Sequence, residues 1–141
     1  MRLEDRMYQG TDIEKVIENA SHPQWHLDKA HAIYELALRA LDDTSLLAPA
    51  WSCIGKEIIF VTRQGPPLGL PAATVLIDAG KDTIEKALAD EMNSWSMEQQ
   101  RDFFFGVVEK PDRRALLDRL VSSYGYQPKI RVDENGGVEA L

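Results

Sequence analysis

The sequence predicts an α/β (α+β) fold, a single domain over residues 1–141 with a mixed, mostly antiparallel central sheet and about four helices. Three observations carry this expectation. Helix start signals precede stretches with apolar residues at helical spacing. Short runs rich in Val, Ile, Thr and aromatics are divided by Gly and Pro. Two continuously apolar runs, "ATVLI" and "FFFGVV", flank one helix in strand–helix–strand order, the arrangement that makes two strands parallel by a right-handed crossover.

"RLEDRMYQG" reads as a short first strand ending at Gly10. In "TDIEKVIENA", Thr11 as N-cap and Glu14 three residues on form a capping box, and Ile13, Val16, Ile17 and Ala20 line one face. Pro23 breaks this first helix. A second runs through "HLDKAHAIYELALRALDD", with Leu27, Ala30, Tyr34, Ala37, Leu38 and Leu41 at helical spacing.

From Ser45 the texture changes. "LLAPAWSCIG", "KEIIFVTR" and "LPAATVLIDAG" read as a three-stranded meander, with Gly55-Lys56 as a tight hairpin connection and "QGPPLGLP" as a longer turn. "ATVLI", apolar throughout, suits a strand covered on both faces. "KDTIEKALADEMNSW" is the third helix, with Asp82 as N-cap, Glu85 at N3, and a stripe of Ile84, Ala87, Leu88, Met92 and Trp95. After a turn at "SMEQQ", "DFFFGVV" reads as a fully buried strand.

The fourth helix, "DRRALLDRLVSSY", buries Leu116, Leu117, Leu120, Val121 and Tyr124 and turns Arg113, Arg114, Asp118 and Arg119 outward. Gly125 follows its end, where a left-handed conformation costs Gly little. "PKIRVDENGGVEAL" closes the chain as a hairpin around Asn135-Gly136-Gly137. The predicted order is β-α-α-β-β-β-α-β-α-β-β.

Composition narrows the function classes. Twenty-three acids against 16 bases give a formal charge of −7, spread along the chain. Such a balance favours solubility and opposes binding to phosphate backbones, so nucleic acid is not an expected partner. The longest near-apolar run, "LPAATVLI", is far short of the roughly 20 residues a spanning helix needs. One cysteine, Cys53, excludes an intramolecular disulfide and a Cys-rich zinc site. With no signal-peptide pattern in "MRLEDRMYQG", a cytoplasmic protein without a membrane partner is expected.

His22, His26 and His31 do not share a helix face, because Pro23 interrupts the first spacing and five residues separate the second pair. A metal site is not expected. Cys53 reads as a small buried residue, and Trp25, Trp51 and Trp95 as core or interface residues, since no basic strip accompanies them.

The order of elements resembles the GNAT superfamily of acetyl-CoA-dependent N-acetyltransferases. At residue level the resemblance lies in "VVEKPDRRALLDRLVSSYGY": a buried strand with Val107 and Val108, Asp112 in place of a customary Asn, Ala115, a helix, and Gly125-Tyr126 at its end. The resemblance implies a divergent member with a degenerate pyrophosphate loop. The pantetheine arm of acetyl-CoA would lie in a split between the fourth and fifth strands, bonding backbone near Leu76 and Ile77. Gly80, Lys81 and Thr83 would hold the pyrophosphate at the third helix's N-terminus, and Arg113 and Arg114 would meet further phosphates. Asp78 would deprotonate the attacking amine, and Tyr124 would act as general acid. The implied activity is transfer of an acetyl group to a primary amine of a protein or small molecule.

A second expectation belongs to another class: a non-catalytic, acidic protein-binding module that keeps the fold and modulates a partner, as would suit a compact virus-encoded or accessory protein. The two separate on whether acetyl-CoA binds.

Overall fold

The apolar runs that read as strands coil into helices. A computed structural model describes residues 2–24, 26–59 and 66–141. Among them are seven α-helices: α1 (Ile13–Ala20), α2 (Leu27–Ala40), α3 (Leu47–Lys56), α4 (Leu70–Ala79), α5 (Asp82–Met92), α6 (Met97–Gly106) and α7 (Arg113–Tyr124). The described strands are two, β1 (Ile130–Val132) and β2 (Val138–Ala140), paired antiparallel with Arg131 opposite Glu139.

This overturns the mixed central sheet. The α/β class and the GNAT-like order of elements give way to a mostly helical domain with a small terminal hairpin. "RLEDRMYQG" is not a strand but a 3₁₀ turn, Leu3–Asp5, followed by Arg6 in the left-handed region at φ 50°. "LLAPAWSCIG" forms most of α3, and "LPAATVLIDAG" forms α4 with its Gly cap. "DFFFGVV" supplies the second half of α6. The Phe60–Arg63 half of the expected middle strand lies outside the described residues; Lys56 ends α3 instead of starting a strand.

Local chemistry explains each helix. Pro71 sits in the first turn of α4, where an N–H has no intrahelical acceptor to lose, so the proline begins the helix instead of ending a turn. Gly80, at φ 62°, closes α4 in the left-handed conformation. Pro49 likewise falls in the first turn of α3. For α6 the start is a complete capping box. Gln99 N–H donates to Ser96 Oγ at 3.1 Å, and Ser96 N–H donates back to Gln99 Oε1 at 2.8 Å.

The four helices and the closing hairpin expected from sequence are present. Gly125 ends α7 at φ 73°, and its N–H donates to Leu120 O. The caps of α1 and α5 fall one residue earlier or later than expected, on Asp12 and Lys81 in place of Thr11 and Asp82.

α2 packs between α1 on one side and α3 and α4 on the other, α3 packs on α5, and α5 on α7. The hairpin lies on α6 and α7. Phe103 occupies the middle of the core, edge-on to Trp51 at 5.9 Å, Trp95 at 6.0 Å and Phe104 at 5.4 Å between ring centroids. Buried Gln100 ties this aromatic cluster to the C-terminal segment. Its amide donates to Met92 O and Trp95 O, and its oxygen accepts from Tyr126 O–H at 2.5 Å and Lys129 N–H at 3.0 Å. Among the described residues no helix is long and apolar enough to cross a membrane.

Candidate functional site

The end of α4, the start of α5, the α6–α7 connection and the first turns of α7 enclose a cleft of about 460 Å³. Its floor is apolar: Ile77 from α4, Val107 and Val108 from the connection, and Ala115 and Leu116 from α7. Its walls carry Asp78, Glu85, Glu109 and Asp112 against one cation, Arg119.

Each wall residue is placed by its element. Asp78 stands exposed in the last turn of α4, just before the Gly80 cap. Glu109 is the N-cap, and Asp112 the last residue, of the short 3₁₀ turn Lys110–Asp112 that joins α6 to α7. Glu85, in the first turn of α5, is 8% exposed and is held by the Arg119 guanidinium through Nε at 3.2 Å and Nη2 at 3.0 Å. That bidentate bond is the first cause raising Arg119 above the ordinary guanidinium value. The carboxylates of Asp78, Glu109 and Asp112 make no hydrogen bond or ion pair with another described residue.

α4 and α6 end at the cleft with their caps Gly80 and Val107, while α5 and α7 begin there with Glu85 and Asp112, so helix C-termini and N-termini meet in one space and their dipoles oppose each other. The cleft owes its negative character to its side chains. Its one hydroxyl side chain, Thr74, donates to Leu70 O at 3.0 Å, and neither His nor Cys lines the walls.

Of the residues predicted to bind or react, the cleft gathers Asp78, Ile77 and Gly80 and leaves the others elsewhere; Val107, Val108, Asp112 and Ala115, which carried the family resemblance, also line it. Leu76 is fully buried in the core. Leu76 and Ile77 lie inside α4, where backbone amides bond along the helix, so no open strand edge runs there. Lys81 caps α5 and its ammonium donates to Leu41 O at 3.2 Å. Thr83 lies on the opposite side of α5, in a shallow depression with Lys86 and Asp90. Tyr124 is half-buried near Asp82 and Glu85; desolvation first, then these two carboxylates, raise its hydroxyl above the ordinary value.

The two arginines expected to point outward from α7 differ. Arg114 is exposed and faces the hairpin residues Arg131 and Asp133. Arg113 folds back instead, donating to Val108 O at 3.0 Å, Phe105 O at 2.9 Å and Gly136 O at 2.8 Å. Its guanidinium also covers the Phe105 ring at 5.4 Å. A cation in the first turn of a helix opposes the dipole, and here three carbonyls and a ring compensate it.

Other candidates are structural. Cys53 is buried, and desolvation raises its thiol above the ordinary value, away from thiolate reactivity. His26 Nδ1 accepts the Asp28 N–H at 3.1 Å as the N-cap of α2, and His22 Nδ1 accepts the Gln24 N–H at 3.2 Å. Trp51 and Trp95 are buried, and Trp25 lies outside the described residues. Among the described residues no group of His, Cys, Asp and Glu is arranged to hold a metal ion.

Sequence reasoning missed Glu85, Glu109 and Arg119 as members of one site. The available signal was Pro111 between acids in "VEKPD", which marks a polar break between two helices. Compared with known proteins, the chain matches no family model, no curated protein and no solved structure.

Proposed function

We propose that the chain is an acidic protein-binding module that modulates a partner, with the cleft between α4 and α7 as its docking site. The observation that carries this reading is the combination of three carboxylates without a hydrogen bond or close ion pair, Asp78, Glu109 and Asp112, the last within the field of Arg119, with the apolar side chains Ile77 and Val107. Apolar contact supplies affinity, while unpaired charge at the rim selects and steers the partner. The overall charge of −7 acts in the same direction at longer range. A reducing, cytoplasmic setting fits the single, buried Cys53 thiol.

The geometry lends the acetyl-transfer reading no support, because the segments that would form its strand split are α4 and α6. Calorimetry with millimolar acetyl-CoA tests that reading directly. The binding-module reading is tested by affinity capture from the native host lysate with wild type and with Glu109→Lys/Asp112→Lys. A partner retained by wild type and lost by the variant, at unchanged melting temperature, supports it. Failure of wild type to retain any partner, or equal retention by both, overturns it.

A further inference from the structure

We propose that residues 2–11 form a strap that lifts off α2 while the helices stay folded, with the Glu35 carboxylate as its latch, and that lifting opens a cavity over Lys29. The segment is attached by polar contacts and little burial. None of its residues is buried, and half-buried Tyr8 is the side chain that packs on the core. Its backbone donors bond within the segment: Asp5 to Arg2 O, Arg6 to Leu3 O, Gln9 to Arg6 O and Thr11 to Tyr8 O. Asp12 belongs to α1 as its N-cap, so the hinge falls between Thr11 and Asp12. Segments with few buried apolar contacts open locally at lower free energy than the core.

One carboxylate commands the attachment. Glu35, 1% exposed, accepts from Arg6 Nε at 3.0 Å and Nη2 at 2.8 Å, which ties the segment to α2 directly. It also accepts from Arg39 Nε at 2.9 Å and so aims Arg39 Nη2 at three carbonyls of the segment, Tyr8 at 2.8 Å, Gln9 at 3.2 Å and Thr11 at 2.6 Å. Arg6 is the one left-handed residue other than glycine among those described, at φ 50°. That strain is offset by the two-point bond to Glu35 and is released on lifting.

Among the described residues, Arg6 and Arg39 are the charged groups that bond Glu35, and none does so from α1, α3 or α4. Protonation removes the acceptor of all three N–H groups. Burial raises the Glu35 carboxyl, but the bonds and charges of Arg6 and Arg39 hold it below the ordinary value. The lifted fraction therefore grows as pH falls through that depressed value. What the strap covers is a cavity of about 240 Å³ between the α1–α2 connection and the first turn of α2. Tyr8 is the strap's part of its wall, and Lys29, 4% exposed, lines it from α2.

The experiment is native-state hydrogen exchange of the full chain in rising urea, followed amide by amide. In wild type, Asp5, Arg6, Gln9 and Thr11 should exchange through an opening of lower free energy and smaller urea slope than core amides such as Leu36 and Leu88. Arg6→Ala and Glu35→Gln should each speed these four amides at least tenfold. Arg131→Ala, which breaks an exposed pair on the hairpin, should leave them within twofold. Where core amides stay protected, acetylation of Lys29 by an amine-reactive ester, normalised to exposed Lys15, should rise at least fivefold in both strap variants.

Exchange of the four amides with the free energy and urea slope of the core overturns the inference, because the segment then opens only with the fold. Rates within twofold of wild type in both Arg6→Ala and Glu35→Gln overturn Glu35 as the latch. Faster exchange with unchanged Lys29 acetylation overturns the opening of the cavity.

Discussion

Trp95 lays the edge of its indole on Gly55, so close that a Cβ at position 55 would overlap the ring atoms Nε1, Cε2 and Cζ2. Gly55 lies inside α3, where alanine would otherwise be favoured by about 1 kcal/mol. Trp95 is 3% exposed and edge-packed on Phe103, so it has little room to retreat. Overpacking of this kind costs about 1–3 kcal/mol. Gly55→Ala should therefore lower stability despite its helix propensity, measured as a reduced urea midpoint. Recovery in Gly55→Ala/Trp95→Phe would show that the ring is the cause; no recovery would place the cause elsewhere.

Arg6 and Arg39 make stability depend on acid. Glu35 is 1% exposed and accepts from Arg6 Nε at 3.0 Å, Arg6 Nη2 at 2.8 Å and Arg39 Nε at 2.9 Å. Burial by itself pushes its carboxyl up, but the hydrogen bonds and charges of Arg6 and Arg39 outweigh burial and hold it below the ordinary value. A depressed folded value contributes stability above the unfolded value, near 4.5, and loses it as pH falls through the folded value. Thermal melts should show this loss below about pH 4.5. Glu35→Gln should be less stable at neutral pH and show a shallower acid limb.

Lys29 and Glu57 form an ion pair at 2.7 Å with side chains 4% and 5% exposed, linking the first turn of α2 to the end of α3. Lys29 is 4% exposed, so Glu57→Gln removes the charge that compensates its buried ammonium and should lower the urea midpoint. Lys29→Met should lower it too, and Lys29→Met/Glu57→Gln should lose less than the sum of the two single variants if the pair couples this seam. A double variant that loses the full sum would show that the pair is not the main coupling at this seam.

Tyr126 closes the network around Gln100. Its hydroxyl bonds Gln100 Oε1 at 2.5 Å, and desolvation raises it above the ordinary phenol value. Tyr126→Phe removes this bond but leaves Gln100 Oε1 accepting from Lys129 N–H. The loss should be about 1 kcal/mol, read from the thermal midpoint. A loss several times larger would mean that the hydroxyl organises more than this single acceptor.

The helices that were legible in the sequence are the amphipathic ones. α1, α2, α5 and α7 alternate apolar and polar residues at helical spacing, and Gly125 marks the end of the last. α4 and α6 were not legible as helices because "ATVLI" and "FFF" are apolar on every side. Such a run matches a buried strand and a buried helix equally, so periodicity cannot separate them. One local signal did separate them for α6: Ser96 and Gln99 have capping-box spacing, and both bonds form. Pro71 was ambiguous for another reason, since proline is suited both to a turn and to a helix's first turn.

The candidate site was less legible than the fold. Asp78 and Gly80 were read at the end of an element, which holds, although the element is α4 and not a strand. Arg113 was read as outward-facing because the i, i+3, i+4 pattern gives directions around one helix only. Its three carbonyl partners come from Phe105, Val108 and Gly136, and nothing in the pattern of α7 specifies them.

By itself the sequence determined the acidic character, the four amphipathic helices, the left-handed end at Gly125 and the terminal hairpin. Each follows from charge, period or a local backbone preference. The tertiary structure decided that Gly55 is a seat for Trp95, that the apolar runs coil, and that Asp78, Glu85, Asp112 and Arg119 share one cleft. Those outcomes depend on contacts between residues distant in the chain. Local spacing does not encode such contacts; packing selects among local structures that are otherwise close in free energy.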